Sequence, residues 1–268
     1  MMAIVDGIRS NAFGSTSRIC VALSLFCVLA GCGGGGSGGG ETTTNANALA
    51  NGLWSGTFSE TGGIASDASA FLYNGQIIAF VFPDLILDGT YDVINGNDFS
   101  SRVSVYRIYS APWTFADISG TVTEQGSISA SFNVLSTSGT ISLLYDLLYN
   151  RTSSLSLVEG SWNYTNGAYS ITITVDSAGA FVARDSEGCV VPGNISLLDT
   201  AHNIYDMKTS TSNCGRWDGY YTGFSALMDD VTTNDTLQVM VTNREFIRSQ
   251  PVIYFSNHPA ITYRFTRL

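Results

Sequence analysis

Beyond residue 51 the apolar residues of this chain recur with a period of two, in short runs, almost to its end. Arg102-Val103-Ser104-Val105-Tyr106-Arg107 and Ser127-Ile128-Ser129-Ala130-Ser131-Phe132 alternate cleanly, as do Tyr169 to Val175 and Leu237 to Val241. Successive side chains of a strand point to opposite faces, so this pattern makes sheets with one apolar face and excludes a helical bundle, whose period is 3.6. Gly89, Gly96, Gly120, Gly126 and Gly139 punctuate the runs as breakers, in the manner of short antiparallel strands joined by tight turns. Tyr73-Asn74-Gly75-Gln76 sits between two apolar runs, and Asn-Gly in that setting predicts a two-residue hairpin.

A weak internal repeat divides the pattern. Gly52-Leu53-Trp54-Ser55-Gly56-Thr57 is echoed by Glu159-Gly160-Ser161-Trp162-Asn163-Tyr164. Ser119-Gly120-Thr121-Val122, leading to Phe132-Asn133-Val134, is echoed by Pro192-Gly193-Asn194-Ile195, leading to Tyr205-Asp206-Met207. The expected fold is all-β, with two tandem related units at 52–155 and 156–268 and about eight strands in each. A closed barrel or a sandwich per half fits that number, and one larger barrel made from both halves stays open. Trp54 and Trp162 occupy equivalent positions near each first strand and are expected as core plugs. Tyr145 to Tyr149 is expected to make one short helical turn. The linker around Asn150 to Ser154 is short, so the two units should touch.

Composition closes off other classes. Hydrophobic residues make up 44% and charged residues 13%, too apolar a mixture for a disordered chain. Twelve basic residues against 22 acidic ones give a net charge of -10, which repels phosphate backbones, so nucleic acid is excluded as a partner.

The first 32 residues read as an address. Arg9 and Arg18 precede the apolar stretch Ile19 to Ala30, too short to span a bilayer and matching a signal-peptide core. It runs into Leu29-Ala30-Gly31-Cys32, which resembles the lipobox of bacterial lipoproteins. The resemblance implies cleavage of a leader at 1–31, a diacylglycerol on the Cys32 thiol and an acylated new amino terminus. Two or three acyl chains together anchor a protein stably where one does not. Residues 32–51 then form a tether, Gly33 to Gly40 followed by a polar Thr- and Asn-containing stretch, with an r.m.s. reach of roughly 25 Å. Gly33 stands where Gram-negative lipoproteins retained at the inner membrane carry Asp, so the same resemblance implies the outer membrane, with the periplasmic or the surface face left open. Cys20 and Cys27 leave with such a leader and Cys32 is lipidated. Cys189 and Cys214 remain, and an even pair in an exported chain reads as a disulfide.

The second unit carries Gly179-Ala180-Phe181, Asp185-Ser186-Glu187-Gly188-Cys189, Gly193, Asn203-Ile204-Tyr205 and Asn213-Cys214. In these it resembles uncharacterised proteobacterial lipoproteins with a calycin-like β-barrel body. The resemblance brings no functional residues with it.

Chemistry is sparse. His202 and His258 lie in no zinc-ligand spacing, there is no Gly-x-Ser-x-Gly elbow, and no glycine loop is placed to cradle phosphate, so no catalytic residue, metal or cofactor is assigned. Asp92 to Asp98 and Asp229 to Asp235 crowd oxygen ligands that could hold calcium, but neither has EF-hand spacing, and Asx-rich turns explain both. Trp113, Phe115 and Trp217 are the candidate binding residues. The first two fall in an apparent connection, Ser110 to Asp117, whose apolar side chains either cap a barrel mouth or meet another molecule. The leading expectation is a non-catalytic cell-envelope lipoprotein with a binding or structural role. Its partners would be the membrane, through the lipid anchor, and an envelope protein or glycan. A lipocalin-like carrier of an apolar ligand and a hydrolase using fold-assembled carboxylates stay open beside it.

Overall fold

The computed structural model describes residues 45–107, 110–134, 137–243 and 260–268, and the side chains in these ranges except those of 110–113, 216, 260 and 261. Cys32, the leader, most of the tether and His258 lie outside the described residues.

The period-two pattern becomes two closed barrels, each an up-and-down meander of eight antiparallel strands. The first comprises β1 (Gly52–Glu60), β2 (Ser66–Tyr73), β3 (Gln76–Val81), β4 (Leu85–Ile94), β5 (Asp98–Arg107), β6 (Ser110–Val122), β7 (Ser127–Val134) and β8 (Thr137–Asp146). The second comprises β9 (Gly160–Asn166), β10 (Tyr169–Val175), β11 (Ala180–Asp185), β12 (Val190–Leu197), β13 (Tyr205–Thr211), β14 (Gly219–Met228), β15 (Thr236–Thr242) and β16 (Ala260–Arg267). Closure removes the exposed strand edges that an open sheet of this length would present.

The Asn74-Gly75 hairpin forms as expected between β2 and β3. Its two central residues have φ of +49° and +81°, the left-handed pair that a type I′ turn demands. The breaker glycines divide into two kinds. Gly96 and Gly126 stand in turns, but Gly89, Gly120 and Gly139 lie inside β4, β6 and β8 rather than between strands. A Cβ at Gly89 would stand 2.1 Å from the Arg102 carbonyl oxygen, and one at Gly120 would stand 2.1 Å from that of Ser129. These glycines let neighbouring strands fold closely over one another as the sheet curls shut. Of the two sequence echoes, the tryptophan one is in register, since Trp54 and Trp162 lie on the first strand of each barrel. The other is not: Ser119–Val122 ends the sixth strand of its barrel, whereas Pro192–Ile195 belongs to the fourth strand of the other.

A short helix enters each barrel ahead of its first strand. A 3-10 turn, Ala46–Ala50, precedes β1, and α1 (Leu155–Val158) precedes β9. The Trp54 indole N–H donates to the Ala50 carbonyl at 3.0 Å, and the Trp162 indole N–H to that of Val158 at 2.9 Å. Both rings are almost wholly buried. On the last strand, the register partner of each tryptophan then packs on it. Tyr145 meets Trp54 edge-on at 5.3 Å, and the Arg267 guanidinium lies 4.4 Å over the Trp162 ring. Both barrels are thus locked at the same corner, where first strand, last strand and entering helix meet.

The seams differ. β1 and β8 are paired from Leu53↔Asp146 through Glu60↔Gly139, whereas β9 and β16 pair only at Asn163↔Thr266 and Trp162↔Arg267. Farther along the second seam, rings take over from backbone, with Tyr164 4.9 Å from Tyr263.

The barrels touch, as the short linker implied. After the 3-10 turn Leu147–Asn150, Leu53, Phe71 and Ile78 on the outside of the first barrel bury against Phe224, Ala226 and Met240 of the second. Asn203 pins the junction, donating to the carbonyls of Leu148 and Leu227 and accepting from the Leu227 N–H at 3.0 Å. Thr242 donates to buried Asp88 across the interface at 3.0 Å, and Arg151 grips Asp229 with two bonds of 2.6 and 2.7 Å.

Candidate functional site

The interiors of the two barrels are filled differently. The first is lined by Phe, Leu, Ile, Val and Ala and leaves a void of about 20 Å³, so it is a packed core. The second leaves about 70 Å³, with an apolar floor of Ile171, Phe181, Met207 and Val239. Its rim carries Tyr169, Asp185, Thr209, Thr211, Trp217 and Tyr263.

Topology explains why those rim residues meet. In an antiparallel meander β11 and β13 end where β10 and β16 begin, which brings the start of β10, the end of β11, the end of β13 and the early part of β16 to one end of the barrel. The opposite end is stoppered by α1, where Val158 and Trp162 are fully buried. Cys189 and Cys214 are disulfide-bonded, with Cα atoms 5.1 Å apart, and tie the β11–β12 turn to the β13–β14 connection at the rim end. The same connection holds the 3-10 turn Gly215–Trp217, so the crosslink fixes the half-buried Trp217 ring against the cavity.

The rim hydroxyls form a directed chain. Tyr263 donates to the Tyr169 oxygen, and the Tyr169 hydroxyl donates to Asp185 Oδ2 at 3.3 Å. The other carboxylate oxygen, Oδ1, accepts the backbone N–H groups of Glu187 at 3.0 Å and Cys189 at 2.8 Å. Desolvation raises the Tyr169 pKa, the Tyr263 bond opposes it, and the negative charges of Asp185 and Glu187 add to it, leaving it at about 12. Tyr169 therefore keeps its proton at any physiological pH. Thr209 spends its proton on the Pro192 carbonyl at 2.7 Å, and Thr211 on the carbonyls of Trp217 and Gly219.

The other sequence candidates fall elsewhere. The stretch Ser110 to Asp117, expected as a connection, is strand: it belongs to β6, which spans Ser110–Val122. Its regular partners on β5, Thr114↔Val105 through Thr121↔Asp98, account for it as ladder rather than loop. Phe115 faces solvent on the outer wall, 47% exposed, with the Arg102 guanidinium 5.3 Å from its ring, so it caps no barrel mouth. The side chain of Trp113 lies outside the described residues. Trp217 reaches the cavity, and Phe115 does not.

Both acidic loops are self-satisfied turns. Asn95 donates to Asp98 within the first, and Asp235 accepts the backbone N–H groups of Asp230, Val231 and Thr232 within the second. Among the described residues no group of three His, Cys, Asp or Glu side chains is placed to hold a metal. His202 stacks on Tyr149 at 4.6 Å and meets Asp199 at 2.7 Å, a local cap on the β12–β13 connection. Asp185 is the one carboxylate among the described residues lining the second cavity.

Reasoning from sequence missed Tyr169, Asp185 and Tyr263. One signal was present: Phe181, Ala183 and Asp185 share a parity, so an acid follows two core residues on the inward face of one strand.

No protein-family profile matches this sequence, and no curated protein matches it. Among solved structures it is similar to a protein of unknown function of the DUF3598 family from Nostoc punctiforme, at 12% identity, covering 84% of this chain and 98% of that one, with a TM-score of 0.26. At that score the likeness carries no functional argument.

Proposed function

We propose that this chain is a non-catalytic, lipid-anchored binding protein of the cell envelope, in which the first barrel is a packed scaffold and the second holds the apolar end of a small ligand. One observation carries the binding half of the reading: two barrels of the same strand count and connectivity, fused and in contact, differ in that, among the described residues, the second encloses the larger void, about 70 against about 20 Å³, and lines it with polar rim residues. Close packing is the default for protein interiors, and a retained cavity gives up dispersion contacts, so it calls for an occupant. The volume, about 70 Å³, is roughly half that of the ~150 Å³ apolar cavity known to admit benzene, which suits a chain of a few carbon atoms. The anchoring half rests on Leu29-Ala30-Gly31-Cys32 and the glycine tether behind it.

Filling the cavity tests the first half. Ala183, buried on the cavity wall, is changed to Leu, and binding of short-chain alkyl compounds is followed by amide chemical-shift changes. Shifts confined to rim and wall residues of the second barrel, and abolished in Ala183→Leu with the fold retained, are expected. Shifts that survive the substitution would overturn the site. For the second half, mass spectrometry of the membrane fraction should find an acylated Cys32 as first residue, and membrane association that persists in Cys32→Ala would refute the anchor.

A further inference from the structure

The direction of the rim hydrogen bonds says what the ligand's polar end must be. The hydroxyl protons of Tyr263, Tyr169, Thr209 and Thr211 are all committed to protein acceptors. The described hydroxyl and carboxyl lining of the cavity is therefore left with acceptors. These are the Asp185 carboxylate and the threonine oxygens, each of which keeps an unused lone pair after its proton is given away. Among the described lining residues Asp185 is the one charged group, with no lysine or arginine beside it. Its two backbone N–H donors both reach Oδ1, whereas among the described residues Oδ2 accepts the 3.3 Å Tyr169 bond alone. The rings of Tyr169, Trp217 and Tyr263 line the same cavity, and aromatic π faces attract cations. Glu187 supplies a further negative charge close enough to raise the Tyr169 pKa.

A ligand that can only accept hydrogen bonds would leave these oxygens unpaired on burial, and an anion would meet Asp185 head-on. A donor that also carries positive charge satisfies both. We infer that the second barrel recognises a primary ammonium group on a short apolar chain, with Asp185 Oδ2 as the charged acceptor and the Tyr169, Trp217 and Tyr263 rings as the cage. This rests on the proposal that the cavity is a binding site, and it adds the ligand class.

Three four-carbon probes separate the two claims: n-butylammonium, 1-butanol and butyrate, titrated into the purified full-length chain and followed by amide chemical shifts of the second barrel. The wild type is expected to prefer butylammonium over butanol by about tenfold or more, the ratio a charge-assisted hydrogen bond supports, and to exclude butyrate. Asp185→Asn keeps an acceptor for the Glu187 and Cys189 N–H groups, so the turn is retained while the charge is lost. In it, butylammonium and butanol should bind equally. Should butanol match or exceed butylammonium in the wild type, the ammonium assignment is overturned and the cavity stands as an apolar site. If no probe binds, both claims fall. A preference that persists in Asp185→Asn removes Asp185 from the recognition, and the wild-type comparison decides the ligand class even if that variant does not fold.

Discussion

Replacing Trp162 by Phe tests whether the corner of each barrel is held as described. The ring is buried, and its N–H is the described partner of the Val158 carbonyl at 2.9 Å. Phe keeps an aromatic ring under the Arg267 guanidinium but cannot donate. The stranded, buried carbonyl costs about 1–3 kcal/mol. The smaller ring leaves a cavity that adds about 1 kcal/mol at ~24 cal/mol per Å³. The sum is about 2–4 kcal/mol. With a urea m-value of about 1–3 kcal/mol/M for a domain of this size, the midpoint should fall by about 1–2 M. The assay is urea unfolding followed by resolved amide signals from each barrel, because the shared interface around Phe71, Ile78 and Phe224 can couple the two transitions. The same experiment on Trp54→Phe adds a sharper demand. Trp54 has the same donor geometry, 3.0 Å to Ala50, in the same place in its barrel, so the two losses should agree within about 1 kcal/mol. A loss below about 1 kcal/mol in either variant would falsify the corner argument, since a stranded buried carbonyl cannot be that cheap.

Two further outcomes follow from the geometry. Changing both Cys189 and Cys214 to Ser opens a crosslink spanning 25 residues, for which chain entropy gives about 3.5 kcal/mol; urea unfolding should show that loss in the second barrel, together with a shift of Trp217 fluorescence, and an unchanged midpoint would refute it. At Asp235, partial desolvation raises the pKa, but the N–H groups of Asp230, Thr232 and Val231 outweigh it and hold the carboxyl near 2. A depressed pKa stabilises the fold above the unfolded value of about 4 and loses that contribution as pH falls towards 2, so the Asp230, Val231 and Thr232 amides should lose exchange protection across that window; loss beginning above pH 5 would point to another group.

Much of this architecture was legible in the sequence because it is local. Alternation of side chains is a property of a single strand, so Val103-Ser104-Val105 and Ile171-Thr172-Ile173 announce strands without any partner in view. Asn74-Gly75 sets its own turn through the φ values those two residues tolerate. Trp54 and Trp162 stood out as equivalent because each carries out the same task at the same place in its repeat. The lipobox reading is also purely local, and the residues that carry it lie before the described fold.

What only tertiary structure decided depends on register between strands. Gly89 reads as a breaker in sequence, yet it lies in mid-strand, because the need for it comes from Arg102 on the neighbouring strand. Ser110 to Asp117 reads as a loop through Pro112 and its aromatics, but its ladder with β5 overrides those preferences. Barrel rather than sandwich turned on whether the first strand meets the last, a pairing of Trp54 with Tyr145 that nothing in either segment encodes. The cavity is the furthest from sequence of all. Tyr169, Asp185 and Tyr263 are separated by up to most of the second unit, and they converge because an antiparallel meander brings alternate strand ends to one rim. Whether that rim encloses space or side chains is a matter of summed volume around eight strands, which no single run of residues contains.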